Sequence, residues 1–144
     1  MTANKKPLTR SQTRDEKVTE FVEMDKIGQL ELIRRSEKLM DELELITSRY
    51  PRVSRFGLAK RTQDTMEEFY CLLIEGAKRY MKKSTLQNAD IRFYLLKRLI
   101  RIAHGRRYIS TGQYKVLIVD YLLEIGKMLG GWIRSVNEKN AARV

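Results

Sequence analysis

The chain has 144 residues, 42% hydrophobic and 33% charged, a balance that suits one globular core and excludes a disordered chain. Its 29 Lys and Arg against 18 Asp and Glu leave a net charge of +11, and a pI near 9.9 points to nucleic acid or anionic lipid as partner. The single cysteine excludes an internal disulfide and fits a reducing cytoplasm; no apolar run nears the roughly 18 residues of a membrane span.

Residues 1–27 read as a flexible, basic and polar arm, helical in part over Asp15–Ile27 through Val18, Phe21 and Val22. Met1–Arg14 has no apolar core of the kind a secretory signal needs. Gly28 marks a break. A first bundle helix is expected over Gln29–Arg49, with Leu32, Ile33, Leu39, Met40, Leu43 and Ile46 on one stripe. It stops before Tyr50-Pro51, because a residue preceding proline avoids the α region. A second helix, Leu58–Lys82, repeats at Leu58, Thr62, Met66, Phe69, Leu73 and Tyr80, with Cys71 expected as a small buried hydrophobe.

Two serine–glutamine capping boxes, Ser84–Gln87 and Ser110–Gln113, predict the starts of the next two helices. The third, Thr85–His104, carries Ala89, Phe93, Leu96, Ile100 and Ala103. The fourth, Thr111–Asn137, carries Tyr114, Leu117, Ile118, Tyr121, Ile125, Met128, Trp132, Ile133 and Val136. No strand pair with a hairpin turn is visible. The expected fold is all-α: an antiparallel up-down four-helix bundle over residues 28–139, with residues 140–144 as a short tail.

The charge is concentrated. Residues 76–115 hold Lys78, Arg79, Lys82, Lys83, Arg92, Lys97, Arg98, Arg101, Arg106, Arg107 and Lys115 against one acid, Asp90, so this block supplies ten of the eleven net charges. Like charges at i,i+4, as in Lys78/Lys82 and Arg79/Lys83, repel, so folding alone does not explain them. The first ten of these bases are the candidate nucleic-acid contacts, with Tyr80, Tyr94 and Tyr108 available for stacking or for packing. An acidic protein partner is the competing reading. Leu95, Leu99 and Ile102 form a second apolar edge on the third helix, and Gly126, Gly130 and Gly131 interrupt the fourth. Both features suit an oligomer interface, through Leu95, Leu99, Ile102, Gly130 and Gly131; a wide buried face within one protomer also accounts for the apolar edge.

Catalytic chemistry finds little support. One histidine and one cysteine cannot build the usual His/Cys metal cluster, and no phosphate-cradling glycine loop or other cofactor motif appears. Arg98 and His104 match the loose spacing of HEPN ribonucleases, in which histidine acts as acid or base and arginine holds the phosphate. His104 is equally accounted for as a cation near a helix C-terminus.

Tyr50-Pro51, Arg55–Ala59, Cys71–Leu73, Ile125–Ile133 and Val136-Asn137 together resemble the accessory variability determinant of diversity-generating retroelements over about Leu30–Lys139, most specifically in Leu129-Gly-Gly-Trp-Ile133. A broader resemblance is to the four-helix-bundle proteins encoded in 23S ribosomal RNA intervening sequences. The closer resemblance implies a basic, non-catalytic protein without cofactors, built as a pentameric barrel. It implies binding to a reverse transcriptase and its template RNA, in support of mutagenic cDNA synthesis. The arm at residues 1–27 is longer than this resemblance leads one to expect.

Overall fold

In the computed structural model, residues 7, 9–28 and 30–142 are described, and every regular element among them is helical. Residues 1–6 and 8 of the arm, and 143 and 144 of the tail, lie outside the described residues. Helix α1 is Arg10–Met24. Thr9 caps it by a box that sequence reading missed: its hydroxyl accepts from the Gln12 amide at 3.3 Å, and the Gln12 side chain accepts from the Thr9 amide at 2.9 Å. None of its residues is buried, and Val18, Phe21, Val22 and Met24 stay exposed.

Helices α2 (Glu31–Thr47), α3 (Leu58–Lys78), α4 (Lys83–Gly105) and α6 (Leu123–Ala142) enclose one core. Helix α3 packs on α2 and α4, and α6 packs on α4 and α2. The expected stripes supply that core. Leu39, Phe69, Leu73, Ala89, Leu96, Ile100, Ala103 and Ile125 are completely buried, and Leu43 and Leu129 nearly so. At 1.5–3 kcal/mol for each large side chain removed from water, this burial rather than helix propensity holds the bundle together.

Several boundaries depart from expectation: α1 is Arg10–Met24 rather than Asp15–Ile27, and α2 ends at Thr47 rather than Arg49. Helix α3 ends at Lys78 rather than Lys82, which leaves Tyr80 78% exposed instead of on the buried stripe. The cause is Lys82: its ammonium donates to the carbonyls of Gly76 at 2.7 Å and Arg79 at 2.6 Å, satisfying acceptors left open at the helix end. That return starts α4 already at Lys83, so Ser84 falls inside the first turn and its expected capping box does not form. The box at Ser110 does form, with the Gln113 amide donating to the serine hydroxyl at 3.1 Å. The fourth rod is not one α-helix. Helix α5 (Thr111–Val116) leads into a π segment, Leu117–Leu122, before α6, and the rod runs on to Ala142. Cys71 is exposed rather than buried; it stands between Glu67 and Glu75 at four-residue steps, on the outward row of α3.

Candidate nucleic-acid interface

Along α4, Lys83, Asp90, Tyr94, Lys97 and Arg101 recur at steps of three, four or seven residues and so share one flank, with Arg98 beside them. All six are exposed. The Lys97 ammonium lies 4.9 Å from the centre of the Phe93 ring and 5.7 Å from that of Tyr94. Phe93 in turn closes on Gly126, where an added methyl would meet the ring at 3.4 Å. This cationic flank therefore borders α6. A helix of 23 residues spans about 35 Å.

Arg106 and Arg107 extend the charge past the C-terminal end of α4. That end is closed by a Schellman motif, with the Tyr108 amide donating to Ala103 at 2.9 Å and the Arg107 amide to His104 at 3.0 Å. The position in the left-handed region, where glycine usually sits, is Arg107 at φ 61°. A non-glycine residue there costs about 1 kcal/mol, and what it brings to the surface is a guanidinium. Tyr108 packs on the buried Tyr50 with ring centres 5.3 Å apart, and burial pushes the Tyr50 phenol up to about 12.

The candidate bases do not all stand together. Arg92 leaves α4 on the opposite flank and pairs with Glu68 of α3 at 3.2 Å. Arg79 reaches Glu75 at 3.8 Å, and Lys82 is bound to main-chain carbonyls. Lys78, Lys83, Arg98, Arg101, Arg106 and Arg107 form no ion pair among the described residues. On the apolar side of α4, Leu99 is absorbed into the protomer's own core, while Leu95 and Ile102 stay 37% and 41% exposed. Around Gly130 and Gly131 the nearest atoms to an added methyl belong to Arg134, at 3.5 and 3.9 Å. Sequence reading passed over a further exposed row, Val116, Val119 and Leu123, although its i, i+3, i+7 spacing was visible.

Arg98 is exposed on α4, and His104 is half-buried near the end of that helix. Six residues are more than one and a half turns, which sends the two side chains off different faces. His104 stacks on Tyr114 with ring centres 4.4 Å apart, and its Nε2 is 3.2 Å from the Thr111 hydroxyl. Among the described residues, no group of three His, Cys, Asp or Glu is placed to hold a metal ion. No helix among them is long and apolar enough to cross a membrane.

A helical core, with a flank of α4 whose Lys83, Arg98 and Arg101 form no ion pair among the described residues, defines an all-α protein. The chain belongs to the bAvd-like family, whose model matches residues 30–136. That match covers α2, α3 and α4 whole and α6 as far as Val136, and it leaves α1 outside. Members of this family are in general accessory, non-catalytic proteins of diversity-generating retroelements. Comparison with curated proteins gives no match.

Proposed function

We propose that this chain is the accessory variability determinant of a diversity-generating retroelement, working in the cytoplasm. It binds the template RNA and the reverse transcriptase, and it supports mutagenic cDNA synthesis while the polymerase does the chemistry. The observation that carries the reading is the α4 flank, where Lys83, Lys97, Arg98 and Arg101 stand without carboxylate partners in a chain of the bAvd-like family. In this reading residues 28–139 form an antiparallel up-down bundle, and five copies close into a barrel. The exposed Leu95 and Ile102, with Leu99 beneath them and the methyl-free Gly130 and Gly131, support a second copy packing on these edges.

The test is co-purification. Expressed with the reverse transcriptase of the same retroelement, the chain should co-elute with it as a particle containing five copies. RNA affinity should fall linearly on a log–log plot against salt, because binding releases counterions. A chain that neither retains RNA at moderate salt nor co-elutes with the polymerase overturns the reading.

A further inference from the structure

Outside the α4 flank, a concave site brings four cations together with two aromatic rings. It is a cleft of about 430 Å³ where the end of α3 and the 79–82 turn meet the second half of α6. Its wall includes Lys78, Arg79, Tyr80, Lys82, Trp132 and Lys139; among the described residues no carboxylate lines it, and Glu75 reaches Arg79 only at 3.8 Å. Small-ligand sites run from about 300 to 1,000 Å³, so the space suits one nucleotide.

The cleft is built rather than accidental. Trp132, the protein's single tryptophan, is half-buried and also walls the neighbouring apolar cleft of Leu30, Ile33, Ala77 and Met128. Its ring edge is seated over Gly76, where an added methyl would come within 3.3 Å of the indole Cη2 and 2.8 Å of Leu86. Lys82 is held by the carbonyls of Gly76 and Arg79, so one positive charge is fixed at the cleft wall before any ligand arrives. Tyr80 stands 78% exposed at the rim.

We propose that this cleft binds an unpaired nucleotide of a single-stranded polynucleotide, its base against Trp132 and Tyr80 and its phosphates on Arg79 and Lys139. The inference deepens the RNA-binding reading and rests on it. A duplex keeps its bases inside the stack and offers the rings nothing, whereas an acidic peptide uses the cations and leaves the rings idle. Lys82 of the cleft wall is followed in the chain by Lys83, the first residue of α4 and of its cationic flank. A strand whose phosphates follow that flank thus arrives at the rings, and the site converts a charge-only surface into one that prefers single strands.

Because Trp132 is the sole tryptophan, the protein's indole fluorescence reports on the wall of this cleft. The full-length chain is titrated with an unstructured RNA decamer, with the matching duplex and with polyglutamate, while anisotropy of labelled RNA reports total binding. The decamer should quench the indole and the duplex should not. Tyr80→Ala, at an exposed position outside the helices, should weaken decamer binding roughly 5- to 100-fold and leave duplex binding unchanged. Decamer binding without quenching overturns the cleft assignment and leaves the α4 flank standing. Equal quenching by duplex or polyglutamate also overturns it. Absence of any RNA binding overturns both this inference and the RNA-binding reading.

Discussion

The two flanks of α4 carry the same kinds of side chain and do opposite things with them. Toward α3, Arg92 meets Glu68, and Asp64, Glu67 and Cys71 share the shallow surface around that pair. Toward α6, Lys97 lies over aromatic rings, and Arg98 and Arg101 are exposed to solvent. A cation facing a carboxylate at 3.2 Å adds little to the field a distant phosphate feels; the unopposed ones add to one another. The number of bases along the helix therefore overstates one flank and understates how directional the other is.

The largest effect should come from the open flank. Reversing two charges, Arg98→Glu with Arg101→Glu, should lower RNA affinity on the order of 100-fold at physiological salt. The slope of log affinity against log salt should become shallower by roughly two. Loss should be similar across RNA sequences, since phosphate contacts position a strand without reading it. Both side chains are exposed, so thermal unfolding should hardly move. A change in sequence preference without loss of affinity would remove these residues from the phosphate path.

Arg107 provides a smaller and more diagnostic test, because fold and function pull it in opposite directions. Its φ of 61° suits glycine, so Arg107→Gly should raise stability by up to about 1 kcal/mol in denaturant unfolding. The same change should weaken RNA binding and reduce the salt slope by roughly one. If stability rises while RNA affinity is untouched, the charged surface ends at Arg101 and the strain at this turn has another origin.

Much of this contrast lay within reach of the sequence, though unevenly. The buried stripes repeat at the helical period, so Phe93, Leu96 and Ile100 were legible as core without coordinates. The Ser110 box was legible because all its partners lie within four residues. The end of α3 was not, because it depends on one ammonium folding back across a turn to Gly76 and Arg79. Nor was the π segment, where the buried Leu117 and Leu122 stand five residues apart, a spacing that the expected stripe through Ile118 and Tyr121 passes over. Above all, charge clustering along the chain could not separate Arg92 from Arg98. Both belong to the same run of bases; only packing against α3 supplies Glu68 to one of them.

That pairing sets the subtlest way to break the comparison. Glu68→Gln removes the carboxylate and keeps the size of the side chain. Both partners are about half exposed, so the pair should contribute only about 0.2–1 kcal/mol to stability. The informative readout is RNA affinity. If the strand runs along the α6 side, freeing Arg92 adds a cation away from its path, and decamer affinity should stay within about twofold at physiological salt, where screening acts over about 8 Å. A several-fold gain would mean that phosphates pass over the α3 side too. Glu68 would then act as a local brake on binding, and α4 would present one broad cationic surface instead of two unlike flanks.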